Sequence, residues 1–289
     1  MCTDTRLLTR AGELRSGRTP FVLATVVRAE RPTSARPGDA ALVLPDGTVE
    51  GFVGGACAES TTRVEGLRYL RSGESGLVRI SPDGIVQDEV RTVVNPCRSG
   101  GLLEIFFETV LPPALVAVLG DAPVARALVR VGEALDLDVR TITDGTAPLA
   151  PDTAAVVVAS HGRDEPAVLS AALAAGVPYV ALVASPRRAA GVLGELAGVP
   201  GVERVHAPAG LDIGARTPQA VALSIYAQLV AESPPPRPPE VVAAPADAVD
   251  PVCGMTVAAV PTSLHSGEVY FCGSGCLQAW LDDPGRYPR

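Results

Sequence analysis

At 289 residues, 47% hydrophobic and 19% charged, the chain is long enough for two ordinary cores and an appendage. A net charge of -8, with no Lys/Arg stripe interleaved with aromatics, excludes a nucleic-acid surface. Charges at Asp4, Arg6, Arg10, Glu13 and Arg15 interrupt the first eighteen residues, so neither a secretory leader nor a membrane span is expected there; the expected compartment is the cytoplasm. In that setting the six cysteines point toward metals or catalysis rather than disulfides.

Leu7, Leu8, Ala11 and Leu14 recur at helical spacing from Asp4 to Ser16, and Gly17 ends that pattern. A β-branched strand is expected over Phe21 to Ala29. Residues 31–38 then form an irregular loop carrying Arg31, Thr33, Ser34 and Arg36, a place where an anion can be met. Ala40 to Leu44 and Thr48 to Val53 read as a hairpin across Pro45-Asp46-Gly47. At its end Gly54-Gly55-Ala56-Cys57-Ala58-Glu59 opens a helix that runs to Leu70. Two glycines let backbone N–H groups approach a ligand, the helix N-terminus favours an anion, and a first-turn cysteine has its thiolate favoured. An isolated turn of this kind is more often a glycine corner with a small buried cysteine. Glu59 either moves a proton or simply offsets the helix dipole. After the strand Gly76 to Ser81, a second glycine-bearing loop, Asn95 to Gly101, carries Cys97 and leads into the strand Leu102 to Phe107.

Pro112-Pro113 marks a boundary. A strand from Ala114 to Leu119, the turn Gly120 to Ala125, a helix through Leu135 and a strand from Asp138 to Thr143 ending at Asp144 form a βαβ unit. Further strands end at Ser160-His161 and, after Tyr179 to Val183, near Arg187 and Arg188. Such alternation implies a parallel sheet covered by helices on both faces, with ligands at the carboxyl ends of the strands. His161 is equally readable as a ligand contact or a structural residue. Asp121 and Ala122 stand where a dinucleotide pyrophosphate needs close backbone approach, which argues against tight NAD binding. Asp212 and Arg216 form either an ion pair or part of a cleft, and Thr217-Pro218 caps a helix from Gln219 to Ala231.

Gly51 to Glu59 resembles the GxVGGGCVE signature of the xanthine dehydrogenase accessory family (XdhC/CoxI), and Asn95 to Gly101 resembles its second loop. Gly120 to Ala125 falls at its GAGHVA position, and Gly210 to Pro218 resembles its GLDIGARTP segment almost letter for letter. The resemblance covers residues 5–231 and implies a non-catalytic carrier that binds molybdenum cofactor (molybdopterin), supports its sulfuration with a cysteine desulfurase as sulfur donor, and delivers it to a molybdenum hydroxylase. Gly54, Gly55, Cys57, Glu59, Cys97, Gly120, His161, Asp212 and Arg216 are the expected cofactor contacts, and the apolar second domain is compatible with a homodimer.

A proline-rich tether opens at Pro234 and runs to Val249. Asp250 to Met255, Val269 to Cys276, Trp280 and Pro284 to Tyr287 resemble a YHS domain. The spacing C-x18-C-x3-C offers Cys253, Cys272 and Cys276 to Cu(I) or Zn(II), with His265 as a fourth donor. The expected architecture is therefore an α/β domain (1–112), a Rossmann-like doubly wound parallel sheet (113–232), a linker (233–249) and a small separate metal module (250–289). The chain's fusion of carrier and soft-metal module suggests a carbon monoxide dehydrogenase client and copper supply. An NAD(P)-dependent oxidoreductase, or a metal-sensing or buffering protein acting through the module, are the alternatives.

Overall fold

The computed structural model describes residues 5–82, 90–95, 101–143, 148–232 and 246–287. The chain divides into two compact units, Met1–Pro112 together with Arg237–Arg289, and Pro113–Pro236.

In the first unit, α1 (Thr5–Ser16), β1 (Phe21–Glu30), β2 (Ala40–Val43), β3 (Val49–Gly51), α2 (Ala56–Ser72), β4 (Gly76–Ser81), β5 (Arg91–Val94) and β6 (Leu102–Val110) follow one another. Their strands form a sheet of order β3-β2-β1-β6-β4-β5, antiparallel except for the β4/β5 pair. Alternation along β1 decides what covers each face. Val22, Ala24 and Val26 meet Val64 and Leu67 of α2, while Phe21 meets Leu7 and Leu14 of α1. The hairpin turns where expected, with the Asp46 carboxylate accepting from the Thr48 N–H at 2.8 Å. Gly73, at φ 73°, closes α2 by donating to Tyr69 O.

In the second unit, β7 (Leu115–Leu119), α3 (Pro123–Ala134), β8 (Asp138–Ile142), β9 (Thr153–Val158), α4 (Glu165–Ala174), β10 (Tyr179–Leu182), α5 (Pro186–Glu195), β11 (Val205–His206) and α6 (Pro218–Glu232) build an all-parallel sheet of order β11-β10-β9-β7-β8. Val116, Val118, Ala155 and Val157 pack on α3 and α6; Ala117, Leu119, Val156 and Val158 pack on α4 and α5. Burial on both faces accounts for the unbroken apolar runs of these strands. Thr217 caps α6 through its hydroxyl, which accepts from the Ala220 N–H at 3.2 Å. Asp144 lies outside the described residues.

The last segment, expected to stand alone, completes the first unit instead. β12 (Asp247–Val249) and β13 (Thr256–Ala258) form one hairpin, β14 (Leu264–Ser266) and β15 (Val269–Phe271) another, and α7 (Ser274–Asp282) follows. Ala258 and Val260 join the buried cluster that contains Val43 and Val64, and the Thr262 hydroxyl donates to Asp46 O at 3.1 Å. An apolar edge this small gains burial worth about 1.5–3 kcal/mol per large aliphatic side chain by docking, which is the physical reason it does not remain separate. Most of the proposed linker, residues 233–245, lies outside the described residues. Among the described residues, no helix is long and apolar enough to cross a membrane.

Candidate functional site

β3 ends at Gly51, whose φ of 122° and missing side chain let Phe52 N–H reach Ala40 O at 2.9 Å. Gly54, at φ 130°, is required by its backbone. Gly55 is not: it has an ordinary φ of -68°, and a side chain there would meet nothing within 4 Å. Its glycine keeps space open. The ladder of α2 starts with Glu59 N–H donating to Gly55 O at 3.0 Å, so the first-turn N–H groups are not consumed by the helix itself.

The open space is a cavity of about 140 Å³ lined by Gly55, Ala56, Cys57 and Ala58 of the α2 start, Pro32, Thr33 and Ser34 of the preceding loop, Asn95 and Gly101 of the second loop, and Ile80 and Leu103 beneath. No carboxylate is among these residues. Gly101 is needed because a side chain would strike Pro32 O at 2.3 Å. The Asn95 amide donates to Thr61 Oγ1 at 3.4 Å, and Thr61 donates to Cys57 O at 3.0 Å, tying the second loop to the first turn of α2. Helix N-terminus, hydroxyls and amide make a donor-rich pocket suited to an anion. A whole drug-sized ligand fills about 300–1,000 Å³, so the described cavity accommodates the anionic end of a ligand.

Gly55 and Cys57 line the cavity, whereas Gly54 shapes the turn before them without being among its walls. Glu59 does not face the cavity: it pairs with Arg63 at 2.9 Å, one turn along α2. Cys97 lies outside the described residues, although its loop neighbours Asn95 and Gly101 line the cavity.

A second cluster sits at the C-terminal end. Cys253, Cys272, Cys276 and Asp250 place one ligand atom each within 4.8 Å of all the others. Asp250 is fully buried. Its two oxygens accept from Val252 N–H at 2.9 Å and Cys272 N–H at 2.8 Å, and its carbonyl accepts from Gly254 N–H at 2.8 Å. These bonds curl residues 250–255 around Cys253. Cys272 follows β15, and Cys276 lies in the first turn of α7.

Sulfur separations are 3.6 Å for Cys253–Cys272 and 3.7 Å for Cys272–Cys276. A disulfide needs about 2.05 Å. Thiolates around a tetrahedral zinc at about 2.3 Å would stand about 3.8 Å apart. Burial pushes the Cys272 thiol far up, with Asp250, Cys253 and Cys57 adding to it, and pushes Cys276 up to about 12. Burial alone would raise the Asp250 carboxyl, but the N–H groups of Cys272 and Val252 outweigh it and hold it below the usual range. His265 is absent from this cluster. It sits exposed on β14 opposite Tyr270, with Nδ1 3.3 Å from Gly267 O, because the hairpin register turns it outward. Asp250 takes the fourth place.

In the second unit, Gly120 has φ 118°, and a side chain there would meet Ala159 O at 2.4 Å. It is a packing glycine at the switch point between β7 and β9. Asp121 pairs with Arg163 at 3.0 Å, and Pro123 removes one N–H from the start of α3. His161 is exposed at φ 53° on the turn between β9 and α4. That turn is held by buried Glu165, which accepts from Ser160 Oγ, Gly162 N–H and Arg188. Asp212 and Arg216 form no ion pair. Both are exposed, and Asp212 accepts from Gly214 N–H at 3.4 Å. The tightest requirement of that segment is Gly210, whose side chain would meet Ser224 Oγ at 2.4 Å.

A mixed α/β protein whose second unit is a parallel doubly wound sheet, and whose first holds a donor-lined cavity with a thiol in its wall, is the class these features define. Residues 116–229 match the family described as XdhC Rossmann domain, and residues 14–81 match the XdhC and CoxI family. The two matches assign these parts of the chain to the XdhC and CoxI family. The chain is 26% identical over 254 residues to the uncharacterized protein YqeB of Escherichia coli, an alignment that takes in 78% of this chain and 46% of YqeB. It therefore spans about half the length of that curated relative. A Bacillus halodurans structure described as a xanthine dehydrogenase is 17% identical with a TM-score of 0.37, covering 80% of this chain and 95% of that one.

Proposed function

We propose that this chain is a cytoplasmic accessory factor for a molybdenum hydroxylase of the xanthine or carbon monoxide dehydrogenase type. It binds molybdenum cofactor, shelters it while a cysteine desulfurase supplies its sulfur, and passes it to the client. The observation carrying this reading is the cavity at the start of α2, with donors on its walls and Cys57 beside them. Membership of the matched regions in the XdhC and CoxI family supports it. When bound, the cofactor would supply a phosphate anion and a soft metal centre. The first turn of α2 with Thr33, Ser34 and Asn95 would orient the anion, and Ile80 and Leu103 would exclude water from beneath it. Cys57 would offer sulfur at the wall. The C-terminal segment, read as a YHS-like module, would hold Cu(I) or Zn(II) on Cys253, Cys272 and Cys276, with Asp250 completing the set.

Expression in a host that makes the cofactor, followed by pterin assay, tests the carrier reading. Wild type should co-purify with molybdopterin and Cys57→Ala should lose it; absence of pterin from both would refute it. The parallel sheet keeps a nucleotide-dependent oxidoreductase as a second reading, opposed by Asp121, Ala122 and Pro123 at the α3 start. Absence of heat on titration with millimolar NAD(H) and NADP(H) would dispose of it.

A further inference from the structure

The starts of α2 and α7 meet. A side-chain carbon on Gly273, the residue before α7, would lie 3.0 Å from the Ala56 methyl, the first residue of α2. Each helix carries a cysteine in its first turn, Cys57 and Cys276. Cys57 packs against the buried Met255, Val257 and Cys272 in company with Cys253 and Cys276. The same Cys57 lines the anion cavity. One thiol therefore borders two sites described above as separate: it packs beside the cysteine cluster, outside the set of four whose ligand atoms lie within 4.8 Å of one another, and it lines the cavity.

We propose that Cys57 is the acceptor thiol for a soft cation held by Cys253, Cys272 and Cys276, so that the C-terminal module loads the cavity wall with metal. This rests on the reading of that cluster as a metal site. The step is a ligand exchange: a metal–sulfur bond forms to Cys57 and one breaks at a module cysteine. The Cys57 proton passes to the departing thiolate, and no electron moves. Cys272 is buried, whereas Cys253 and Cys276 are half-buried, so one of the latter two is the sulfur released.

The test uses the full chain, reduced and anaerobic, with one equivalent of Cu(I) and then in parallel with Zn(II). Iodoacetamide modification is followed at each cysteine by mass spectrometry. Loading should slow alkylation of Cys57 and Cys272 at least about tenfold while one of Cys253 and Cys276 stays reactive, and Cys272→Ser should abolish Cys57 protection. Cys57→Ser should leave the metal where it started, with Cys253, Cys272 and Cys276 all protected. Unchanged Cys57 alkylation with the three module cysteines protected would overturn the inference and leave the metal site standing. No protection at any cysteine would overturn both.

Discussion

Two strand-to-helix junctions in this molecule start from nearly the same backbone and end as different things. Before α2, Gly54 sits at φ 130° and Gly55 caps the helix in an extended conformation; before α3, Gly120 sits at φ 118° and Ala122 does the same. Neither cap uses a side-chain hydrogen bond. At the first junction the helix start opens on a cavity with hydroxyl and amide walls. At the second, the glycine is pressed against Ala159 and Ser160, an acidic side chain stands beside it, and proline takes the first helical position. A helix N-terminus is suited to an anion where it opens on a cavity whose walls carry no carboxylate.

The sharpest way to break that contrast is at Gly120. Gly120→Ala forces a side chain to within 2.4 Å of Ala159 O at a left-handed φ, and should cost about 3 kcal/mol or more in denaturant unfolding. Gly54→Ala comes closest to the Ala58 methyl at 3.0 Å, with Leu103 and Ala35 at ordinary contact distance, and should cost about 1–3 kcal/mol, mostly from its φ of 130°. Gly55→Ala should leave stability within about 0.5 kcal/mol of wild type, or slightly raise it. Phosphate or pterin-phosphate affinity should nevertheless fall roughly tenfold, about 1.4 kcal/mol, in calorimetric titration. If Gly55→Ala unfolds as easily as Gly54→Ala, the two glycines do not divide their work between space and backbone. Removing Asp121 from its exposed pair with Arg163 should shift the midpoint by no more than about 0.5 kcal/mol. Smallest of all, Thr62→Val replaces a buried hydroxyl that has no hydrogen-bond partner among the described residues, and should be neutral or stabilising in thermal melts.

Much of this was legible beforehand where the information is local. Pro45-Asp46-Gly47, the Gly54-Gly55 corner and Thr217-Pro218 specify a turn, a helix start and a cap from a few adjacent residues. The β7 to β11 sheet is announced by short apolar runs separated by helical patterns, because burial on both faces leaves a simple signature. What escaped depends on residues far apart in the chain. In the sequence Asp250 only opens the segment that resembles a YHS domain; the fold brings its carboxylate beside three sulfurs, and the β14/β15 register turns His265 away. The meeting of Cys57 with Cys272 had no signal at all in the spacing of either motif. Asn95 was visible as the first letter of a loop, but its tie through Thr61 to Cys57 O required α2 to be in place.

The first unit is assembled from both ends of the described chain, with the whole second unit threaded between them. During synthesis, then, the parallel-sheet unit has all of its sequence available before the unit that precedes it does. Ala258 and Val260 close the earlier core only after they leave the ribosome, and until then Val43 and Val64 lack part of their cover. Shortening the chain after α6 therefore removes a wall of the first unit along with the cysteine cluster, and strips Cys57 of packing against Cys272, made more than two hundred positions later.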